Sequence, residues 1–410
     1  MSDQVTAVWR EESARIIAAL TRITRDLDLA EDLAQDALVS ALEAWPVEGV
    51  PANPGAWLMT VAKRRAIDQF RRADTLRRRT AELAHDLTEE DVPDFAGAID
   101  HIEDDVLRLV FLTCHPVLPP ESRAALTLRL VGGLTTQEIA RGFLVKDATM
   151  GQRISRAKKT LAEAGASFDL PVGAEREARL ADVMAVIYLV FNEGYSATAG
   201  DDWMRPELCG EAIRLARLLA GLVPTEPEVL ALQALLELQA SRTHARTDAD
   251  GTPVLLEAQD RTRWDALLIR RGLAALDAAA ALDQPWGSYR VQAEIAACHA
   301  RAGRAEDTDW PRIARLYDAL AFAAPGPVVE VNRAVAHGRA YGADAGLVVL
   351  APLEADPALA GSHLLPSVRG DLLERAGRPA EAAAAFTEAA SLTRNEVERR
   401  VLLERAAKNS

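Results

Sequence analysis

Residues 135–161 read TTQEIARGFLVKDATMGQRISRAKKTL and predict two short helices joined by a tight turn. Thr135 and Glu138 have the spacing of a capping box, in which the two residues bond to each other's backbone at the start of a helix. The first helix is expected to begin at Gln137 and the second at Asp147. This arrangement predicts a compact helical hairpin around which the first part of the chain folds.

The second predicted helix has an apolar face and a polar face. The apolar positions recur at helical spacing and are expected to pack on a core; they are Met150, Ile154, Ala157 and Leu161. The opposite face carries side chains that hydrogen-bond to base edges and phosphates, and a helix fits the major groove of DNA. These are Thr149, Gln152, Arg153 and Arg156. The pattern favours a helix-turn-helix that reads DNA over an amphipathic hairpin with a solvated basic face.

Two residues fit this interpretation poorly. Lys146 stands where Ser or Asp would cap the second helix better. Gly151 lies inside the helix and costs about 1 kcal/mol relative to Ala. Either Gly151 lets the backbone approach DNA, or its presence is incidental.

Composition predicts an all-α protein of 410 residues with a sizeable core. The N-terminus lacks the charged start and apolar stretch of a secretory signal, and no apolar run reaches the 18 or so residues that span a membrane. Three widely separated cysteines, Cys114, Cys209 and Cys298, predict a reducing, cytoplasmic environment without a zinc knuckle. No metal or cofactor is expected.

The charge is distributed unevenly along the chain. The net charge of −14 argues against a general nucleic-acid coat protein. Segment 61–79 nevertheless holds eight Lys or Arg against two Asp, and segment 141–161 holds six Lys or Arg against one Asp. Between them, segment 82–105 holds ten Asp or Glu and no Lys or Arg. Two basic patches separated by an acidic stretch are typical of a protein that touches DNA at two places.

An acidic helix is predicted before the first basic patch. Segment 28–43 contains no Lys or Arg. Its polar face includes Asp32, Gln35 and Asp36, opposite a broad apolar stripe that ends at Trp45. This face is a poor DNA contact and a plausible protein contact; an ordinary solvated surface is the alternative.

A basic helix follows a proline-rich loop and begins with GAWLMTVAKRRAIDQFRR, residues 55–72. Leu58, Ala62, Ala66 and Phe70 recur at steps of four and are expected in the core. The other side carries Thr60, Arg64 and Arg71 near Trp57, with Lys63 and Arg72 flanking them. Aromatic residues beside a basic helix stack on unpaired bases, although Trp57 suits a core position equally well.

AEDLAQDAL, NPGAWLMTVAKRRAIDQFRR and LTTQEIARGFLVKDATMGQRISRAKKTL occur in this order within residues 5–165. In this order and at this spacing, the chain resembles an extracytoplasmic-function (ECF) sigma factor of bacterial RNA polymerase. The resemblance implies that the acidic helix docks on the β′ clamp helices through Asp32, Gln35 and Asp36, and that the β flap is a further contact.

The resemblance also implies two DNA-binding sites. For the −10 element and its flipped bases it implies Asn53, Trp57, Lys63, Arg64 and Arg71. For the −35 element it implies Thr149, Gln152, Arg153 and Arg156, with Lys158 and Lys159 on phosphates. The predicted domains are sigma region 2 over 1–75, an acidic linker over 76–105 and sigma region 4 over 106–166. In the family, such a linker threads the polymerase channel that later holds RNA; an ordinary solvated linker is the alternative.

The chain continues far beyond a minimal sigma factor, as a helical extension predicted over 174–410. The apolar run 181–191 is expected to be buried. Gly303, Gly342 and Gly377 each lie between two predicted helical segments, 39 and 35 residues apart. Helix pairs at such a period resemble tetratricopeptide repeats, which stack into a solenoid with a concave binding surface. Further predicted helices are Pro206–Leu219, Glu226–Gln239, Thr262–Asp283 and Ser288–Ala302.

Two polar segments of the extension invite a functional interpretation. The loop 244–261 gathers His244, Asp248, Glu257, Asp260 and Arg261, but it lacks a metal-ligand spacing, so a loop held by salt bridges is favoured over a metal or catalytic site. Likewise Asn192–Tyr195 is expected to be a packing turn rather than a ligand contact.

With its extension, the chain resembles ECF sigma factors in which a fused C-terminal domain replaces a separate anti-sigma factor. The resemblance implies core RNA polymerase and promoter DNA as partners, and a small DGPF/YCII-related protein as a candidate partner. The expected function is transcription initiation without catalysis by this chain. The alternatives are a stand-alone helix-turn-helix regulator with a ligand- or protein-sensing domain, and an enzyme fused to a DNA-binding module.

Overall fold

A computed structural model describes residues 2–81, 102–143, 145–195, 204–248, 254–393 and 396–410. Most of the predicted acidic linker, from 82 to 101, and residues 249–253 of the polar loop lie outside the described residues. Within the described part, the secondary structure is α-helical with short 3-10 turns, which confirms the predicted class. The chain forms two compact units, Met1–Leu189 and Val190–Ser410.

The first unit is built from eight helices among its described residues, the last of which continues into the second unit. In chain order they are α1 Ser2–Thr24, α2 Leu27–Glu48, α3 Pro54–Ala81, α4 Ile102–Thr113, α5 Pro120–Leu130, α6 Thr136–Gly142, α7 Asp147–Glu163 and α8 Gly173–Tyr195.

Helix α1 is the centre of this unit. Its residues 16–20 are all buried, at 0–1% exposure. Because successive helical residues point about 100° apart, five consecutive buried residues require neighbours on every side. Helix α1 packs against α2 and α3 and also against α4 and α5. Helix α1 therefore packs against helices from both sides of the predicted acidic linker.

The helical hairpin predicted from residues 135–161 is present. The Thr135 backbone N–H donates to Glu138 Oε2 at 2.8 Å, and the Glu138 N–H donates to Thr135 Oγ1 at 3.2 Å, which confirms the capping box. Helix α7 packs against α5 and α6. Its four predicted apolar positions are all buried, namely Met150, Ile154, Ala157 and Leu161.

The second unit is a row of helices, most of which pack against the next in sequence. They are α9 Pro206–Leu222, α10 Pro227–Ala240, α11 Ala266–Ala281, α12 Ser288–Arg301, α13 Trp310–Ala323, α14 Pro327–Tyr341, α15 Ala343–Leu350, α16 Leu364–Arg375, α17 Pro379–Leu392 and α18 Glu396–Lys408. The three repeat glycines lie between α12 and α13, α14 and α15, and α16 and α17, as predicted.

One predicted helix start is wrong. The helix expected from Thr262 begins at Ala266, and Arg261–Arg263 form a separate 3-10 turn. The reason is Asp265, whose carboxylate accepts from the N–H groups of Leu267 and Leu268 at 2.8 and 3.0 Å. An aspartate in this position caps a helix and fixes where it starts.

Acidification should destabilise the second unit through His299. Burial, together with the charges of Arg242 and Arg261, lowers the pKa of this imidazole to about 3, against about 6.5 in an unfolded chain. The unfolded state therefore binds a proton that the folded state excludes, so this contribution is complete above pH 6.5 and is lost as the pH falls toward 3. Between pH 7.5 and 5 we expect the free energy of unfolding to drop by about 2 kcal/mol, measured by urea unfolding.

The control for this prediction is His299→Gln, which removes the titrating group. The variant should lose less stability than the parent over the same pH interval. Equal losses in both proteins would exclude His299 as the source.

Candidate nucleic-acid and protein interfaces

Helix α2 presents an acidic strip to solvent. Asp26 caps the helix by accepting from the Leu29 N–H at 3.0 Å. Its apolar stripe is buried up to Trp45, which leaves Asp32 and Asp36 exposed and Gln35 half-buried. Asp36 pairs with Arg65 at 2.8 Å, whereas Asp32 forms no ion pair within the described part of the chain.

Exposed apolar side chains accompany this strip. Val39 is 48% exposed, Leu42 43% and Val47 87%. Apolar side chains beside acidic ones on a solvent-facing helix are typical of a protein–protein contact. From the sequence, none of these three side chains was assigned a role in binding.

Helix α3 carries a basic stripe with an aromatic residue at its start. Thr60, Arg64 and Arg71 are exposed and are separated by four and seven residues, so they lie on one face. Trp57 is half-buried, with its ring 5.5 Å from that of Trp45 and at 64° to it. The Trp57 indole is thus partly packed in the core and partly accessible, so a core position and stacking on an unpaired base are compatible.

Two other residues predicted to contact the −10 element, Asn53 and Lys63, are engaged by the protein itself, through helix capping and partial burial respectively. Asn53 is exposed, and its side-chain oxygen accepts from the Ala56 N–H at 3.0 Å, which caps α3. Lys63 is half-buried, and burial, followed by the nearby charge of Arg22, lowers its pKa. A phosphate beside Lys63 would favour the charged form.

Helix α7 exposes a polar stripe of three predicted base-reading residues, Thr149, Gln152 and Arg156. Arg153, by contrast, is half-buried and pairs with Glu121 of α5 at 3.0 Å. A Cβ at Gly151 would make an ordinary van der Waals contact with the Thr136 methyl, at 3.9 Å. The fold therefore does not require a glycine there.

The two lysines predicted to contact phosphates differ. Lys159 is 75% exposed and lies 3.6 Å from Glu163. Lys158 is 14% exposed, and its Nζ lies 2.8 Å from Asp28 and 2.5 Å from Glu31. Burial disfavours the ammonium, but the hydrogen bonds to these two carboxylates outweigh it and raise the pKa of Lys158. In this structure Lys158 binds protein carboxylates rather than solvent.

The polar loop of the extension is held by salt bridges and hydrogen bonds. Glu257 pairs with Arg339 and, at 2.7 Å, with Arg375. Asp260 accepts from the Thr262 N–H at 2.9 Å, and Arg261 donates to the carbonyl of Ala302 at 2.7 Å. In the part of the chain that the structure describes, no cluster of three or more His, Cys, Asp or Glu side chains is placed to hold a metal ion.

Residues Asn192–Tyr195, predicted as a turn that packs the two halves of the chain together, form the last helical turn of α8 instead. Tyr195 stacks on Phe191 at 5.2 Å and accepts from Arg242 at 2.6 Å. At Gly194 a Cβ would lie 2.8 Å from the Arg205 carbonyl and from the Cys209 nitrogen. Among the described helices, none is long and apolar enough to cross a membrane.

Comparison with known proteins identifies two sigma-factor regions in the first part of the chain. Residues 8–75 match Sigma-70 region 2, residues 108–161 match Sigma-70, region 4, and residues 179–280 match a family of unknown function, DUF6596. The chain is 31% identical over 163 residues to the probable ECF RNA polymerase sigma factor SigI of Mycobacterium tuberculosis, a match that covers 39% of this chain and 55% of SigI.

Two further relatives differ in how much of the chain they cover. The ECF RNA polymerase sigma factor SigK of a Mycobacterium species (strain KMS) is 28% identical over 160 residues, 37% of this chain and 78% of SigK. An uncharacterised Rhizobium meliloti protein, R00370, is 47% identical over 385 residues, 92% of this chain and 89% of its own length. No solved structure matches the chain significantly.

The fold and the matched regions define a bacterial sigma factor of the sigma-70 family. More narrowly, the chain belongs to the ECF sigma factors with a large C-terminal helical extension, and it shares nearly its whole length with the Rhizobium protein. Sigma factors act in transcription initiation with core RNA polymerase and promoter DNA.

Proposed function

We propose that this chain directs core RNA polymerase to a set of promoters through three surfaces of its first unit. The acidic strip of α2, centred on Asp32, binds the β′ clamp helices, and the region-4 segment contacts the β flap. The basic stripe of α3 binds the −10 element, and the exposed face of α7 reads the −35 element. The observation that carries the proposal is the presence of an exposed strip of acidic and apolar side chains on α2 together with two separate basic helical faces.

The alternative functions need fewer surfaces. A stand-alone repressor with one helix-turn-helix needs neither the acidic strip nor the stripe on α3. An enzyme would need a reactive cluster, whereas the polar loop's Glu257 and Arg261 are engaged in binding neighbouring helices. We propose that the chain itself catalyses no covalent step and acts in the cytoplasm, where core polymerase resides.

The helical extension is proposed to regulate the first unit. Its row of helix pairs is a scaffold that typically presents a concave surface to a protein or peptide. A small DGPF/YCII-related protein is a candidate partner, on the strength of the family resemblance.

The deciding experiment is transcription from linear promoter templates by purified core polymerase, with and without the full chain. Transcripts that depend on the added protein, across a library of upstream sequences, are the expected result. If no template gave a protein-dependent transcript, the proposal would fail.

Within this assay, Arg156→Ala should weaken recognition of the −35 element. Arg156 is exposed on the polar face of α7, and an arginine that contacts a base contributes about 1–3 kcal/mol, or roughly 5- to 150-fold in affinity. The measurement is promoter binding by the holoenzyme on templates that differ at −35.

The matched control is Arg176→Ala, which removes an exposed arginine outside the recognition helix and should leave promoter preference as it was. If the Arg156→Ala variant kept the parental promoter preference, Arg156 would not contact a base and would be an ordinary solvated side chain.

A further inference from the structure

Three arginines and two aromatic rings alternate in the second unit, where three helices begin or end. Tyr195 is the last residue of α8, Arg242 follows the end of α10, and Trp264 precedes α11. The Arg246 guanidinium carbon lies 3.6 Å from the centre of the Tyr195 ring, and that of Arg242 lies 5.9 Å from the centres of both rings. The Arg261 guanidinium carbon lies 4.8 Å from the Trp264 ring. These five residues are called the arginine ladder below.

Two arginines of the ladder donate hydrogen bonds to neutral groups. Arg242 donates to the Tyr195 hydroxyl at 2.6 Å and to a side-chain amide oxygen. Arg261 donates to the Ala302 carbonyl at 2.7 Å, to a second carbonyl and to a hydroxyl. Neither arginine forms an ion pair within the part of the chain that the structure describes, although the sequence holds 61 Asp and Glu against 47 Lys and Arg. Two positive charges are thus unbalanced there in a chain that is rich in carboxylates.

These two charges affect each other and a neighbouring imidazole. Burial, followed by the charge of Arg242, lowers the pKa of Arg261, while Asp307 and Glu306 act in the opposite direction, each more weakly. The same two arginines add to the effect of burial in lowering the pKa of His299 to about 3. A bound anion would relieve this repulsion, because an opposite charge nearby favours the charged form of a cation.

Buried N–H groups of the same ladder lack a hydrogen-bond acceptor. Trp264 is 6% exposed, and its indole Nε1 has no partner among the described residues. The Nε atom of Arg261 is buried and has none either. Both atoms carry an N–H and can only donate. A buried donor without an acceptor is costly, and in folded proteins such a group is usually satisfied by an ordered water or a bound ion.

We propose that the arginine ladder binds the phosphate group of a small molecule. Arginine binds phosphate through charge-assisted, often paired hydrogen bonds. A phosphate group carries about −1.5 to −2 charge at pH 7, which balances Arg242 and Arg261 better than the single charge of a carboxylate does. Its oxygens are the acceptors that Trp264 and Arg261 lack. Both arginines are only half-buried, so the ladder is not sealed from solvent.

This binding site lies in a part of the chain with no assigned role. All five ladder residues fall within 179–280, the segment that matches a family of unknown function. The site does not depend on the proposed function, since it requires neither polymerase nor promoter DNA. Its test therefore uses the full chain alone.

The test is calorimetric titration of the full chain in a buffer free of other oxyanions. Inorganic phosphate is the probe for the free ion, and glycerol 3-phosphate is the probe for a phosphate ester; the tighter of the two identifies the source. Acetate, which carries a single charge, should bind more weakly than either. Binding of neither phosphate probe at millimolar concentration would overturn the site, and acetate binding as tight as that of phosphate would overturn the assignment to phosphate.

Two variants locate the bound phosphate. Arg242→Gln removes one charge, and Trp264→Phe removes the indole N–H while keeping an aromatic ring. Each should weaken phosphate binding by about tenfold or more, as expected for a hydrogen bond to a charged group. The matched control is Arg315→Gln, at an exposed position of α13, which should leave the Kd unchanged. Parental affinity in both ladder variants would place the bound phosphate elsewhere and overturn the proposal.

The indole N–H of Trp264 gives a readout that a purely structural ladder would not change. The chain has seven tryptophans, so a spectrum of isotope-labelled indole groups contains few signals. Saturating phosphate should shift the signal that is absent from the Trp264→Phe spectrum and leave the others in place. An unshifted Trp264 signal would indicate that water alone occupies the site. If Trp264→Phe does not fold, Arg242→Gln decides the question by its affinity.

Discussion

Replacing Asp32 and Asp36 by Arg should abolish binding to core RNA polymerase. Both carboxylates are exposed on α2, near the exposed apolar side chain of Val39. Placing like charges against a complementary partner costs several kcal/mol; a loss of about 3 kcal/mol corresponds to roughly 100-fold in Kd. The measurement is holoenzyme formation by titration of labelled chain with core polymerase.

The single variant Asp32→Arg is easier to interpret, because a change at Asp36 also removes its ion pair with Arg65, at 2.8 Å. Glu48→Arg is the matched control: it makes the same change at an exposed position of the same helix, about 24 Å farther along its axis. Holoenzyme formation at parental affinity by the double variant would show that polymerase binds another surface.

Gly346→Ala should destabilise the second unit by about 1–3 kcal/mol, the usual effect of forcing a side chain into a packed core. Here α14 and α15 meet backbone to backbone. A Cβ on Gly346 would lie 2.7 Å from the Ala334 carbonyl, 2.7 Å from Leu372 and 3.0 Å from the Cα of Gly338. Two of these contacts are backbone atoms, which can move only if the helices separate. Hydrogen exchange of the α14 and α15 amides, together with urea unfolding, measures the effect.

Gly210→Ala provides the same chemical change in α9, where nothing lies within 4 Å of the new Cβ. Because alanine is the better helix former by about 1 kcal/mol, this variant should be slightly more stable than the parent. If both alanine variants gained stability, the close approach at Gly346 would be disproved.

Local sequence signals predicted the local structure well. The capping box at Thr135 and the four buried positions of α7 followed from residue type and helical period, which depend on neighbours within a few positions. The helix start that failed, at Thr262, also had a local signal in Asp265. An aspartate just before an apolar helical segment caps it.

Local sequence signals did not predict which side chains the site residues contact in the folded protein. Lys158 has the spacing of a phosphate contact, yet it binds carboxylates 127 and 130 residues earlier in the chain. Asn53 precedes a proline at a helix start, a pattern that serves capping as well as base capture. Helical period identifies the face on which a side chain lies, but not which distant helix meets that face.

The position of α1 at the centre of the first unit also affects how the chain folds during synthesis. Residues 16–20 are buried on all sides, partly by α4 and α5, which leave the ribosome about a hundred residues later. At about 5–20 residues per second, one side of α1 stays uncovered for roughly 5–20 s. During this interval the apolar side of α1 that α4 and α5 later cover can contact other apolar segments of the nascent chain.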